Sequence, residues 1–326
     1  MKVLFMGTPA FAAISLKRLL QTDHAIVGVV TRPDARSGRG LRSRTSPVKD
    51  LAVRNALTVF QPVKINAPEF IEEARALAPD VIVVVAFGCI LGSRLLTLPR
   101  HGAINLHASL LPRYRGAAPI PWAIDRGESE TGVTTQRMTR ELDAGDILLQ
   151  RATRIGEEET AGSLGERLAV MGADLLVETL AGVASGAIRP RPQDDSEATL
   201  APRLSKSDGR IAWDQSAERI GRRIRAFDPW PGAYTVRAAK PGRLLIWKAS
   251  PASGPLPPAA PGTVLAAVGP GGHAAQPGSR PGVLVACGDS TGLILEEVQP
   301  AGGRRMSALA ALAGRHLVIG DRLGVA

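Results

Sequence analysis

Lys2–Met6 (KVLFM) is a short apolar run that stops at Gly7-Thr8-Pro9, and helical spacing follows through Phe11, Ile14, Leu16, Leu19 and Leu20. His24–Val30 ends in AIVGVV and predicts a second strand. The pattern then predicts a helix over Leu51–Asn55, a brief strand at Thr58–Phe60 and a helix over Glu69–Leu77. Asp80–Ala86 (DVIVVVA) is a continuous β-branched run, the signature of a central parallel strand buried on both faces. Gly102–His107 is another strand, and Thr160–Gly186 has helical spacing at Leu164, Leu168, Met171, Leu175, Leu176 and Leu180. Strands alternating with helices predict a doubly wound α/β domain over residues 1–189.

Beyond this the pattern changes. Residues 190–204 are polar and carry Pro190, Pro192, Asp194, Asp195 and Pro202, which predicts a linker. A basic helix is expected over Ala217–Phe227. Short strands follow at Ala233–Arg237, Leu244–Ala249, Gly262–Ala267, Gly282–Cys287 and Leu293–Val298. Such spacing predicts a small β-barrel or sandwich over residues 205–326. Pro251–Pro261 and Gly269–Pro281 are dense in Pro and Gly and are expected to be loops.

Composition narrows the classes. No run approaches the roughly 18 uninterrupted apolar residues of a membrane span, and the N-terminal apolar stretch is too short for a signal peptide. Cys89 and Cys287 form no framework, so a reducing cytoplasm is expected. The dispersed histidines have no zinc spacing, and no metal is expected. Charge is uneven: residues 1–200 carry 24 basic and 22 acidic side chains, residues 201–326 carry 16 and 8. Residues 31–54 hold seven basic and two acidic side chains. This asymmetry points to a polyanionic partner.

The candidate chemistry lies in INLHASLLPRYRG, Ile104 to Gly116. Asn105 and His107 are two apart in a strand, so they share a face near its C-terminal end, where open α/β sheets bind ligands. Both are costly to bury without partners. A lone strand His is usually structural; the neighbouring Asn shifts that balance. Asp143, in the acidic turn Glu141–Asp146, is able to return to the same place, although such a residue is more often an ordinary surface turn. Gly7-Thr8-Pro9 sits where a dinucleotide fold places its phosphate loop. The GxGxxG fingerprint and the ribose-binding acid are both missing, which argues against NAD or FAD.

INLHASLLPRYRGAAPIPWAI with TGVTTQRMTRELDAGDILLQ resembles the folate-dependent formyltransferase family, whose catalytic signature is Asn-x-His with a distal Asp. MGTPAFA, the loop RPDARSGRGLRSRTSPVK, and RAFDPWPGAY with IWKA resemble the branch of that family acting on aminoacyl-tRNA. Ala108 stands where many relatives have Gly, and Phe87 where Tyr is common. The resemblance implies a Rossmann-like domain followed by an OB-like barrel. It implies formyl transfer from 10-formyltetrahydrofolate to the α-amino group of methionyl initiator tRNA by Asn105, His107 and Asp143. Folate is expected along Ser109, Leu110, Leu111 and Pro112, with Phe87 and Gly88 walling the pocket. The loop at 32–48 is expected to enter the acceptor arm through Arg36, Arg39, Arg42 and Arg44. Lys206, Arg222, Arg223 and Lys248 are expected to meet phosphates from the second domain. A monomer is expected, with no membrane attachment.

Three rivals remain open at this point. A sugar-nucleotide amine formyltransferase shares the same three residues but has no need of so extended a basic surface. An RNA-binding protein with an inactive α/β domain has no need of the intact trio. A nicotinamide-dependent oxidoreductase lacks its fingerprint.

Overall fold

The structure, a computed structural model, describes residues 1–37, 42–237, 240–253, 256–269 and 280–324. The chain clusters into two compact units: Met1–Ile120, Glu130–Arg154 and Ser163–Pro202 form the first, and Pro121–Ser129, Ile155–Gly162 and Arg203–Ala326 form the second.

In chain order the first part comprises β1 (Lys2–Gly7), α1 (Ala10–Leu19), β2 (Ala25–Val30), β3 (Ala35–Ser37), β4 (Arg42–Arg44), α2 (Pro47–Arg54), β5 (Val59–Phe60) and α3 (Pro68–Ala76). It continues through β6 (Val81–Val85), α4 (Ser93–Leu96), β7 (Ala103–His107), α5 (Pro119–Asp125), β8 (Glu130–Arg137), β9 (Ile147–Arg154) and α6 (Ala161–Ser185). Seven strands form one sheet in the order β5-β2-β1-β6-β7-β8-β9. The run from β5 to β7 is parallel, and β8 and β9 continue it antiparallel. All five residues of β6 are buried, as a central parallel strand requires. One sheet face packs Leu4, Met6, Ile82 and Val84 against Phe70, Ile71 and Ala74 of α3 and Leu95 and Leu96 of α4. On α6, a Cβ at Gly172 would lie 2.9 Å from Leu106 Cδ2, so this glycine lets the helix approach β7 closely. By length and composition α6 is long and apolar enough to cross a membrane. Its Leu164, Leu168, Leu175, Leu176 and Leu180 are instead all buried within the protein.

Three local differences from the sequence reading have physical causes. The helix expected from Leu51 begins at Pro47, because Ser46 caps it by accepting a bond from Lys49 N at 3.1 Å and proline suits the first turn. Within the basic loop, β3 and β4 form a two-stranded hairpin. Strand β8 escapes the hydrophobic pattern because its interior is polar. Thr131, Thr134, Thr135 and Gln136 are all buried, and Thr135 is satisfied by a 2.7 Å bond to Thr179.

Residues 190–202 are laid along the first unit. Arg191 exchanges two backbone hydrogen bonds with Ile147, at 2.8 and 2.9 Å. Thr199 O accepts from Arg115 N, Thr199 Oγ1 accepts from Tyr114 N, and Ala201 N donates to Arg115 O. The expected linker is therefore a strap anchored to the rest of the first unit through the backbone of Arg191, Thr199 and Ala201.

In the second unit, α7 (Ala217–Ala226) is followed by β10 (Ala233–Arg237), β11 (Lys240–Pro251), β12 (Val264–Val268), β13 (Gly282–Ala286), β14 (Gly292–Pro300), β15 (Met306–Ser307) and α8 (Ala308–Ala313). The sheet is antiparallel in the order β10-β11-β14-β13-β12, with β15 on β14. Near the C-terminus, Leu323 bridges Arg237 on one edge and Arg322 bridges Thr263 at the other. Ala217, Ile220 and Ile224 form the buried stripe of α7 and join Ile211, Trp213 and Leu293 in the core. The loop expected at Gly269–Pro281 lies mostly outside the described residues, as does part of Pro251–Pro261.

Cys287 is buried, and burial pushes its thiol up to about 12, whereas Cys89 is only half-buried. Titration of the native protein with an aromatic disulfide near pH 8 should therefore release one equivalent from Cys89. The second equivalent should appear only on unfolding. Two equivalents at native rates would contradict the packing around Cys287.

Candidate active site

Strand β7 is buried at every position, yet two of its five residues are polar. Asn105 and His107 are 9% and 6% exposed. Across the neighbouring antiparallel strand Asn105 lies opposite Gln136 and His107 opposite Thr134, but the hydrogen-bond partners they need come from the turns that follow β7 and β8. After β8 the chain turns through Glu141–Asp146 and brings Asp143 back over these residues in the left-handed region, φ 51°.

Asp143 is the centre of the cluster. Its Oδ1 accepts from Gln136 Nε2 at 3.0 Å and, more weakly, from Asn105 Nδ2 at 3.4 Å. Its Oδ2 accepts from the Gly116 amide at 2.8 Å and lies 3.7 Å from His107 Nδ1. The carboxylate is 13% exposed, and these contacts take the place of water. Gly116 tolerates no side chain. Its φ is 120°, and a Cβ would lie 2.7 Å from Ala201 O of the strap.

The orientation of His107 assigns its protons. Nε2 lies 2.9 Å from the carbonyl oxygen of Tyr114, which only accepts, so Nε2 carries hydrogen. In the neutral ring Nδ1 is then the basic nitrogen, and it faces Asp143. A proton taken up at Nδ1 converts this 3.7 Å approach into an ion pair.

The loop after β7 is held from below by β8 and β9. Ser109 Oγ donates to Arg113 O at 2.6 Å. Thr134 Oγ1 donates to Ser109 O at 2.6 Å and accepts from Leu111 N and Gln150 Nε2 at 3.2 and 3.1 Å. Ser109 and Leu111 are buried. Leu110 and Pro112 are half-buried. Of the four residues expected to line a folate site, two thus build the loop and two offer surface. Phe87 is buried and Gly88 exposed just after β6, the parallel neighbour of β7.

Three groups in this site were not expected from the sequence: Gln136, the Tyr114 carbonyl and Gln193. Gln193 Nε2 donates to Asp143 O at 2.8 Å, Gly145 O at 2.7 Å and Gln136 Oε1 at 3.2 Å. Its Oε1 accepts from Arg115 Nε and Nη2 at 3.0 and 2.8 Å. Pairing Asn105 with its cross-strand neighbour would have found Gln136. Nothing in the segment 190–204 marked Gln193. Among the described residues no group of His, Cys, Asp and Glu is arranged to hold a metal.

The expected polyanion contacts divide. Arg36, Arg42 and Arg44 belong to the β3–β4 hairpin, and Arg39 lies outside the described residues. Lys49 Nζ and Gln61 Nε2 bind Asp34 at 2.6 and 2.9 Å beside the hairpin's first strand. In the second unit Lys206 is exposed, and Lys248 is 51% exposed and 3.6 Å from Glu296. Arg222 pairs with Glu218 at 2.5 Å. Arg223 donates to Asp208 O at 2.9 Å, lies 3.5 Å from Asp125 and stacks on Phe227. Burial pushes the Asp125 carboxyl up, against the opposing pull of Arg223, Arg219 and Arg222. Arg223 therefore has a structural task whatever else it meets.

Residues 1–180 match the formyl transferase family, and residues 203–316 match the formyl transferase C-terminal domain. The chain is 46% identical over 324 residues to the methionyl-tRNA formyltransferase of Solibacter usitatus, covering 99% of each chain. It is 45% identical over 324 residues to that of Citrifermentans bemidjiense, covering 99% of this chain and 96% of that one. Among solved structures it resembles an N-formyltransferase from Helicobacter canadensis in complex with folinic acid and dTDP-3-aminofucose. The TM-score is 0.63 at 17% identity, over 90% of this chain and 98% of that one. HypX from Aquifex aeolicus in complex with tetrahydrofolic acid gives 0.61 at 18% identity, over 98% of this chain and 48% of that one. At these identities the two structures speak to the fold alone.

Gln193→Ala should loosen the Asp143 turn. The lost bonds are worth about 1 kcal/mol each, so amide exchange across residues 141–146 should rise by roughly tenfold or more while β1 keeps its protection. Unchanged exchange in that turn would remove Gln193 from its support.

Proposed function

The chain belongs to the formyl transferase family and is an enzyme of that family, and we propose that it carries the formyl group of 10-formyltetrahydrofolate to the α-amino group of methionyl initiator tRNA, giving formylmethionyl-tRNA for translation initiation. The observation that carries the chemistry is the cluster of Asn105, His107 and Asp143 on the C-terminal edge of the parallel sheet.

The reaction joins the amine nitrogen to the formyl carbon, breaks the bond from that carbon to the folate nitrogen, and returns a proton to the departing nitrogen. A free α-amino group has a pKa of about 8, so the nucleophile needs only modest help near neutrality. We assign proton removal to His107 Nδ1, because Nε2 is committed to the Tyr114 carbonyl. Asp143 then stabilises the imidazolium across 3.7 Å. Asn105 spends one amide hydrogen on a long 3.4 Å bond to Asp143, leaving the other for the oxygen that becomes negative as the amine attacks. Returning the proton from Nδ1 to the leaving nitrogen completes the cycle without a metal.

We place the folate donor over Leu110, Pro112 and the backbone of the 108–112 loop, with Gly88 at its border and Ser109, Leu111 and Phe87 behind it. We read the second domain as an OB-like barrel that binds tRNA; the bridges from residues 322 and 323 to both sheet edges support closure. We extend the catalytic domain, ended at 189 in the sequence reading, through the strap to Pro202, with the second domain beginning after it. The excess of 16 basic over 8 acidic side chains after residue 200, with the Arg-rich hairpin, supports tRNA over a small nucleotide sugar. We assign the loop at 32–48 to the acceptor arm and expect a cytoplasmic monomer.

A formylation assay tests this directly, offering 10-formyltetrahydrofolate with either methionyl initiator tRNA or a nucleotide-linked amino sugar. Formylation of the sugar alone would overturn the acceptor. Asn105→Ala, His107→Ala and Asp143→Ala should each lower kcat by on the order of 10²–10³-fold with folate affinity nearly unchanged. Near-normal turnover in the Asn105 or His107 variant would refute the proton-transfer and oxyanion roles of these side chains. The affinity for tRNA should fall steeply as salt is raised from about 50 to 200 mM. A flat profile would exclude the basic surface as the docking face.

A further inference from the structure

Asn105 and Gln136 stand directly opposite each other on β7 and β8, so their side chains leave the same face of the sheet with Cβ atoms about 5 Å apart. Both reach for one atom. Gln136 Nε2 donates to Asp143 Oδ1 at 3.0 Å, whereas Asn105 Nδ2 lies 3.4 Å from that oxygen. The glutamine makes the shorter bond and is the more deeply buried, at 1% exposed against 9%. Between Thr135 and Gln136 the pairing of β8 with β9 shifts register, a bulge at the residue that meets the acid.

An amide has a donating and an accepting end, and obligate partners fix which is which. Arg115 only donates, and its Nε and Nη2 meet Gln193 Oε1 at 3.0 and 2.8 Å. Gln193 Nε2 faces the carbonyl oxygens of Asp143 and Gly145, which only accept, at 2.8 and 2.7 Å. The same nitrogen lies 3.2 Å from Gln136, so the atom it meets there is Oε1. The Gln136 nitrogen is thereby turned to Asp143. A guanidinium orients one amide, which orients a second, which holds one oxygen of the acid. Arg115 is itself held by Asp195 at 2.7 Å.

The two oxygens of Asp143 have different surroundings. Oδ2 accepts from Gly116 N at 2.8 Å and faces His107 Nδ1 at 3.7 Å. Oδ1 is met by the side chains of Gln136 and Asn105. A buried carboxylate oxygen draws in the nearest donor, because bonds to a charged acceptor are the strong ones. Without Gln136, that donor would be Asn105. An amide pulled onto a carboxylate is turned away from an oxyanion.

We propose that Gln136 is a positioning residue for formyl transfer: by occupying Asp143 Oδ1 it keeps the Asn105 amide free for the oxygen that becomes negative. The proposal rests on the formyl-transfer reading above and adds to it a residue that acts only through Asp143 and Asn105. Methionine in its place fills much the same space and donates nothing. Glutamate has the same shape and donates only when protonated.

The test measures kcat and KM for Gln136→Met and Gln136→Glu on whichever acceptor the wild type formylates. Gln136→Met should lower kcat by about tenfold or more, a fraction of the roughly 10²–10³-fold cost of deleting an oxyanion donor outright. The KM for 10-formyltetrahydrofolate and for the acceptor should stay within about twofold of wild type. In an Asp143→Ala background the same substitution should cost no more than about twofold further, because the oxygen it serves is gone.

Gln136→Glu keeps an oxygen to accept from Gln193. The introduced carboxyl faces Asp143 on its turn and His107 on β7, with Arg115 beyond Gln193. Beside another carboxylate it binds a proton more readily than an ordinary glutamate. Its kcat relative to wild type should therefore rise by about fivefold or more between about pH 8 and about pH 5, as the protonated form donates where the amide did. The Gln136→Met ratio should stay flat over that range. Wild-type kcat in Gln136→Met, a loss of the same size in the Asp143→Ala background, or a Gln136→Glu ratio independent of pH would overturn the role. If Gln136→Met does not fold, the Gln136→Glu profile decides alone. A wild type that formylates no amine would instead overturn the reaction on which the role rests.

Discussion

Burying one carboxylate organises the candidate site of the first unit. Asp143 keeps 13% of its side-chain surface in water, and an unpaired charge in such a place costs several kcal/mol. The compensation comes from widely separated parts of the chain. Asn105 and Gln136 come from two paired strands, Gly116 from the loop after β7, and His107 from the same strand as Asn105. Each donor is itself held in place. Gly116 is pinned against Ala201, the loop is pinned by Thr134, and Gln136 is touched by Gln193. The antiparallel extension of the parallel sheet has the same logic, since β8 puts Gln136 opposite Asn105.

That network also separates two uses of positive charge. On α7, Arg223 is stacked on Phe227, bonded to Asp208 O and paired with Asp125. Removing it would leave the Asp125 carboxyl buried without its nearest cation. Lys206 and Lys248 are more exposed and carry fewer internal obligations. A net charge of +10 therefore overstates what is free to meet a phosphate backbone. Arg305 over Trp247 and Arg243 over Tyr234, at 3.7 and 4.2 Å, are committed in the same manner.

The apolar runs made β1, β6 and β7 legible, because central parallel strands are hydrophobic wherever they are buried. The five main strands of the second unit were legible from short alternating runs between turns. Strand β8 was not, since a strand satisfied by threonine hydroxyls has no apolar pattern to detect. Asn105 and His107 stood out as polar residues in an apolar strand. Asp143 could be tied to them only through resemblance to a family, because its approach depends on a left-handed turn that no periodicity encodes. Gln193 was invisible: a glutamine among prolines and aspartates looks like any solvated segment until its five hydrogen bonds are seen.

The strap at 190–202 bears on how such an enzyme can be rearranged in evolution. A peptide that both tethers a second module and braces the turn bearing Asp143 cannot be exchanged along with that module. A gene fusion or recombination joint at residue 189 would deliver a first half lacking Gln193, Thr199 and Ala201. A joint beyond Pro202 leaves the acid's supports with their own half, so different downstream modules can be appended there without rebuilding the site.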